Sequence, residues 1–323
     1  MTAADFEAAD ALLRDSVLAG RVHENRPLGP LTTYRVGGAA MRYVVVESML
    51  DLRAVVHAAT VGALPVLVIG RGSNLLVSDN GFAGLAVQLG AAFTDVDTRG
   101  PVVRAGGGAA LPMVARRTAA LGLAGFEWAV GVPGSIGGAC RMNAGGHGSD
   151  MASCLSSVRV VDLYGDGSVR QIPVRELALS YRHSVLRDDQ VVVQATLALT
   201  VDDPADAVAR VDAIVRWRRE HQPGGQNAGS VFTNPPGDSA GRLIDTAGCK
   251  GLRLGTAEVS SKHANFIQAD DNGRAEDVHA LMTLVQERVL ATHGVALVAE
   301  TRLVGFAAAA SSSSGQRMQG PSA

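Results

Sequence analysis

The chain has three cysteines in 323 residues, Cys140, Cys154 and Cys249. They show no metal-ligand spacing and an odd number cannot all pair, so a zinc site and a disulfide framework are excluded and a reducing compartment is expected. A charge excess is also missing. The net charge of −2 argues against nucleic acid or an anionic membrane surface as main partner. No apolar run reaches the ~20 residues of a membrane-spanning helix. The first residues carry Asp5, Glu7 and Asp10, where a secretory leader needs basic side chains, so a cytoplasmic protein is expected. The cluster Arg216-Trp217-Arg218-Arg219 is local and sits near a predicted helix C-terminus, where cations favour the macrodipole. With 47% hydrophobic and 19% charged residues, what remains is an ordinary globular composition, in a chain long enough for about two domains.

What the chain has in excess is glycine: 38 residues, about 12% against a usual ~7%. Seven of them fall between Gly131 and Gly148, where Arg141 is the only charged side chain. Glycine loses more conformational freedom on folding than any other residue, and its uses are positive φ and close backbone approach. Bare N–H groups converging from such a loop make an anion-binding nest. A surface linker is the plain alternative, but linkers are rich in serine and charge, and this run is apolar between its glycines. A second glycine loop, Gly70-Arg71-Gly72-Ser73-Asn74, follows the apolar run Pro65 to Ile69. A dinucleotide-binding turn would need a third glycine and a helix there. Leu75 stands at that glycine position, and Leu75-Leu76-Val77 leads to the turn Asp79-Asn80-Gly81. The loop therefore joins two strands, and its bare backbone with Ser73 and Asn74 can still hold phosphate.

The periodicity predicts helices over 4–20, 50–63, 109–121, 205–221, 239–247 and 275–293. Strands are predicted over 41–46, 65–69, 85–89, 102–105, 157–163, 191–201 and 296–304. Strands and helices mix without strict alternation, which is an α+β pattern and not a doubly wound sheet. Asp202-Asp203-Pro204 marks a boundary, giving expected units 1–200, 201–306 and a tail, 307–323. The tail is low in complexity and is expected to be disordered and dispensable.

Several motifs recur in one order: Thr33 to Gly38, Gly70 to Ser78, Gly131 to Gly148, Ser180-Tyr181-Arg182-His183-Ser184, Gly229 to Pro235, Lys262 to Phe266 and Glu300 to Gly305. In these the chain resembles the UDP-N-acetylenolpyruvoylglucosamine reductase family, in its shorter class without an added tyrosine loop. The resemblance spans roughly residues 23–306. It implies a two-part FAD-binding module of the vanillyl-alcohol-oxidase type followed by an α+β substrate-binding domain. It also implies NADPH as co-substrate, UDP-N-acetylglucosamine enolpyruvate as substrate, and a place in peptidoglycan precursor synthesis.

The cofactor contacts that the resemblance implies fall on Arg35, Gly70, Arg71, Gly72, Ser73, Asn74, Gly131, Pro133, Gly134, Ser135, Gly137 and Gly138. Relatives on this module tether flavin through a histidine in the first loop. Gly70 to Ser78 contains none, so FAD is expected to bind without a covalent link. The implied catalytic positions are Arg182 and Glu300, for stabilising an enolate, and Ser230, for donating a proton. In isolation these would read as a surface ion-pair partner, a solvated carboxylate and a turn hydroxyl. Tyr181 and Asn234 match substrate-contact positions, whereas Thr233 and Glu258 depart from the family's usual lysine and glutamine. No metal is expected, and a monomer is. The alternative on the same module is another FAD-dependent oxidoreductase, such as a hydroxy-acid or alcohol oxidase, and a non-enzymatic nucleotide-binding protein is the rival outside catalysis.

Overall fold

Parallel strands covered on both faces need near-continuous apolar sequence, and Val66–Ile69 and the end of Ala39–Val46 supply it. In the computed structural model, which describes residues 3–306, these strands belong to the first of two principal sheets. The tail from residue 307 lies outside the described residues. Helix α1 (Ala3–Arg14) precedes β1 (His23–Pro27), β2 (Ala39–Val46), α2 (Met49–Gly62), β3 (Val66–Ile69), β4 (Leu75–Val77) and β5 (Phe82–Leu89). The sheet order is β1-β2-β5-β3, with β1 antiparallel to β2 and β5 parallel to both β2 and β3. α2 starts where Ser48 Oγ accepts the Asp51 N–H, and it packs Leu52, Val55 and Val56 with Leu13 of α1 onto this sheet.

The second sheet is antiparallel throughout. It takes β6 (Val96–Arg99), β7 (Val102–Gly106), β8 (Leu155–Asp162), β9 (Val169–Pro173) and β10 (Gln190–Ala198) in the order β9-β8-β10-β7-β6. Its core includes α3 (Leu111–Ala120) and the short α4 (Ile136–Met142). Pro112 sits in the first turn of α3, where its missing N–H costs nothing. α5 (Pro204–His221) buries Ala207 and Val211 in this same core, and Arg210 Nε donates to Glu127 Oε1 at 2.9 Å.

The remaining residues build a third core from α6 (Ala240–Thr246), the three-stranded ladder β11 (Arg253–Leu254), β12 (Ala257–Val259) and β13 (Ile267–Ala269), and α7 (Ala275–His293). Tyr34, Val36 and Leu76 from the N-terminal part complete it. β14 (Arg302–Val304) then returns to pair in parallel with β4, Arg302 opposite Leu75. The expected strand over 296–304 is thus shorter than the sequence pattern suggests. Upstream of Arg302 the chain makes only an isolated bridge, Phe232 to Ala299. Among the described residues, no helix is long and apolar enough to cross a membrane.

Candidate active site

The two glycine loops face each other. A Cβ on Gly70 would lie 2.4 Å from Ser135 Oγ, and one on Gly72 would lie 2.2 Å from the Leu31 carbonyl oxygen. Gly72 also has φ +60°, which favours glycine. Of the seven glycines between 131 and 148, only Gly148 has positive φ. Gly131, Gly134, Gly137 and Gly145 serve close approach, since a Cβ on any of them would come within 3.3 Å of a neighbour, whereas one on Gly146 or Gly148 would meet nothing within 4 Å. The stretch is also not all loop. Ser135 opens α4 by accepting the Gly138 N–H at 3.4 Å, and Asn143 closes it with φ 39°.

Between the loops lies a cleft of about 870 Å³. Gly70, Arg71, Gly72, Ser73, Asn74, Gly131, Pro133, Gly134, Ser135, Gly137 and Gly138 all line it, and so do Arg182, Ser230 and Glu300. Arg35 does not. It is exposed, although its segment packs on the first loop, where the Thr33 N–H donates to the Gly72 carbonyl at 3.2 Å. Tyr181 and Asn234 also stand outside the cleft lining but meet each other, the Asn234 N–H lying 3.4 Å from the Tyr181 hydroxyl. Glu258 pairs with Arg253 on the β11–β12 hairpin, and Thr233 donates both its N–H and its hydroxyl to the Val298 carbonyl.

Sequence reasoning missed several lining residues: Gly107, Gly108, Arg218 and Arg302. The run Gly106-Gly107-Gly108 was the available signal, since a Cβ on Gly107 would fall 1.8 Å from the Val192 carbonyl oxygen. Arg71, Arg141, Arg182, Arg187, Arg218 and Arg302 outnumber the lining carboxylates Asp188 and Glu300. A bare-backbone cradle with a cationic surplus suits a pyrophosphate.

Gly137 and Gly138 differ in what surrounds them. A Cβ on Gly138 meets nothing in the protein within 4 Å except Ser135 Oγ at 3.4 Å. One on Gly137 meets the Gly107 and Val192 carbonyl oxygens at 3.1 and 3.3 Å. Gly138→Val should therefore fold with a melting temperature near the parent's and lose FAD on gel filtration. Gly137→Val should lose stability as well. Full flavin occupancy in folded Gly138→Val would remove the loop from the cofactor site.

Arg182 and Glu300 are 118 residues apart, yet Arg182 Nε donates to Glu300 Oε1 at 2.6 Å and Nη2 donates to the Gly145 carbonyl at 3.0 Å. The turn Ser180 to His183, closed by two backbone hydrogen bonds, holds Arg182 at φ +56°. Positive φ in a non-glycine residue persists only where the surroundings over-determine it, and the guanidinium lies 5.0 Å over the Tyr181 ring. Asn74 fixes the other partner. Its Nδ2 donates to the Glu300 carbonyl at 3.0 Å, and its own carbonyl accepts the Arg302 N–H at 2.9 Å. Burial pushes the Glu300 carboxyl above the usual range, with Arg182 pulling the other way. The Glu300 N–H donates to the Val231 carbonyl at 2.8 Å, which brings Ser230 to the same place.

The class of protein follows from this arrangement. Residues 40–172 match the FAD binding domain family, so the chain is an FAD-binding flavoprotein of α+β architecture. Residues 221–304 match the C-terminal domain of UDP-N-acetylenolpyruvoylglucosamine reductase. The chain is 40% identical over 301 residues to UDP-N-acetylenolpyruvoylglucosamine reductase 2 of Symbiobacterium thermophilum, covering 93% of this chain and 96% of that protein. It is 41% identical to the Rubrobacter xylanophilus reductase, covering 87% and 94%. The crystal structure of the Thermus caldophilus reductase superposes with a TM-score of 0.78 at 36% identity, covering 88% of this chain and 99% of that one. The chain belongs to the UDP-N-acetylenolpyruvoylglucosamine reductase family.

Proposed function

We propose that the chain reduces the enolpyruvyl ether of UDP-N-acetylglucosamine enolpyruvate to UDP-N-acetylmuramate. NADPH would serve as hydride source, and FAD would be held without a covalent link. The observation that carries the reading is the Arg182–Glu300 pair at 2.6 Å, in one cleft with Ser230 and both glycine loops. The loops Gly70 to Asn74 and Gly131 to Gly138 would hold FAD, which would supply hydride transfer from NADPH to the methylene carbon of the enolpyruvyl ether. The neighbouring carbon of the substrate would then carry negative charge, delocalised into its carboxylate. Arg182 would stabilise that charge, because a preorganised cation in a partly desolvated site costs no reorganisation as the charge develops. Ser230 would protonate the carbon: a serine hydroxyl is a weak acid, and an enolate is basic enough to take its proton. Glu300 would assist from the opposite side, through a proton or a bound water, in keeping with a carboxyl whose burial favours the protonated form.

The sugar nucleotide would meet Tyr181 and Asn234 at the mouth, while Thr233 and Glu258 offer it no cation. Residues 1–200 would hold the cofactor and 201–306 the substrate, with α5 attached to the former. The protein would act as a monomer on nucleotide substrates in the cytoplasm. Anaerobic NADPH should bleach the flavin band of the purified protein, and the enolpyruvyl substrate should restore it. Acid precipitation should leave the yellow colour in the supernatant. A flavin that ignores NADPH and reacts only with an alcohol or hydroxy acid would overturn the reading, and colour retained in the pellet would overturn non-covalent binding.

A further inference from the structure

The macrodipole accounts for cations at the end of α5 but not for the aromatic residue among them. Trp217 is 42% exposed. One face of its indole is stacked on His221, with ring centroids 4.6 Å apart and an interplanar angle of 11°. His147 meets it edge-on at 5.0 Å. His221 Nδ1 lies 2.8 Å from the Trp217 carbonyl oxygen, which ties the imidazole under the indole. The indole is thus held in place rather than left loose. It adjoins the active cleft: Arg218, the next residue, lines that cleft, and both Arg218 and His147 crowd Gly131 of the second loop.

The charges around it are unbalanced. Arg216 and Arg219 are exposed, and neither forms an ion pair among the described residues. Glu220 sits one turn beyond Arg216 and forms no ion pair with it. Lys262, from the loop before β13, brings its ammonium onto the Arg219 carbonyl and has no carboxylate partner there. Arg218 bonds only the neutral Gln222 side chain, at 2.7 Å. Arg216 and Arg219, three residues apart on one helix face, and Lys262, held at the Arg219 carbonyl, are like charges that an anion would join.

We propose that this rim docks the phosphorylated-nucleoside end of a ligand entering the cleft. The base packs on the exposed part of the Trp217 indole, and a phosphate sits among Arg216, Arg219 and Lys262. The inference rests on the function proposed above, whose two diffusible ligands, NADPH and the UDP-sugar, both carry that chemistry. Stacking of a base on an aromatic side chain and charge-assisted phosphate contacts each change affinity by about tenfold or more.

Calorimetric titration of the FAD-loaded protein with adenosine 2′,5′-bisphosphate and with UDP tests it. Trp217→Ala and the double variant Arg216→Glu/Arg219→Glu should each weaken binding of one of these nucleotides about tenfold or more. Trp217→Phe, which keeps a ring, should retain most of the affinity. Loss confined to the bisphosphate assigns the patch to the dinucleotide, and loss confined to UDP assigns it to the sugar nucleotide. Parental affinity for both nucleotides in the variants, or no binding of either by the parent protein, overturns the proposal. Failure of NADPH to bleach the parent flavin is a separate result and refutes the proposed function instead.

Discussion

Ser230→Ala should leave reduction by NADPH near the parental rate and slow reoxidation by the enolpyruvyl substrate greatly. Ser230 is half-buried, lines the cleft, and its hydroxyl makes no hydrogen bond among the described residues. The backbone beside it is fixed, since the Val231 N–H donates to the Asn265 carbonyl at 2.9 Å and the Val231 carbonyl accepts the Glu300 N–H at 2.8 Å. Removing the hydroxyl therefore leaves this backbone in place and takes away only the proton donor. A positioned general acid contributes on the order of 10²–10⁴ in rate, or roughly 3–5 kcal/mol of barrier at about 1.4 kcal/mol per tenfold. Ser230→Cys should recover part of the rate, because a thiol is the stronger acid. Anaerobic stopped-flow of each half-reaction decides the matter. Equal slowing of both would point to displaced cofactor, and an unchanged second half-reaction would leave Ser230 a turn residue.

How much of this was legible in the sequence depended on whether the signal was local. Leu75 at the third glycine position ruled out a dinucleotide turn, and β4 at Leu75–Val77 is the strand that replaces the helix. Long helices with regular apolar spacing, such as Ala275–His293, have the bounds their pattern predicts. α4 was not legible. Two of its seven residues are glycine, which disfavours helix by about 1 kcal/mol each, so its Ser135 cap and its packing against β10 must supply what propensity does not. The end of α1 was overestimated because periodicity continues to Gly20. Ser16 Oγ instead donates to the Leu13 carbonyl at 2.8 Å and accepts the Leu18 N–H at 3.0 Å, competing with the helix ladder. Nor can one sequence show which arginines converge. Arg218 reads as a helix-terminal charge and Arg302 as a strand residue, and only the tertiary fold brings both to the cleft.

Arg182→Ala should produce the other large effect, on rate and on the pH dependence of stability together. Removing one preorganised charge stabiliser typically costs 10²–10³ in rate, and the loss should fall on the enolpyruvyl half-reaction. Glu300 then keeps its burial and loses its cation. Burial already raises its pKa and Arg182 is what lowers it, so the carboxyl of the variant should move further up. A group whose folded pKa lies above its unfolded value binds protons more readily in the folded state. Stability then falls as pH rises from the unfolded pKa, near 4.5, through the raised folded one. Arg182→Ala should therefore lose melting temperature towards neutral pH more steeply than the parent. Breaking a buried ion pair by removing one partner costs about 3–5 kcal/mol, and Glu300 with 15% of its side chain exposed belongs near the lower end of that range. Adding Glu300→Gln to Arg182→Ala should remove the carboxylate and flatten the slope without restoring catalysis. Arg182→Lys keeps a charge but not the fork that spans Glu300 and the Gly145 carbonyl, so it should fall between parent and alanine variant in rate. Thermal melts across the acid-to-neutral range, paired with stopped-flow, read both effects. A parental slope in Arg182→Ala would mean that Arg182 does not set the proton affinity of Glu300. A parental rate would leave the 2.6 Å pair as an anchor for the strained turn, because an arginine that stabilised the developing enolate could not be removed without slowing that step.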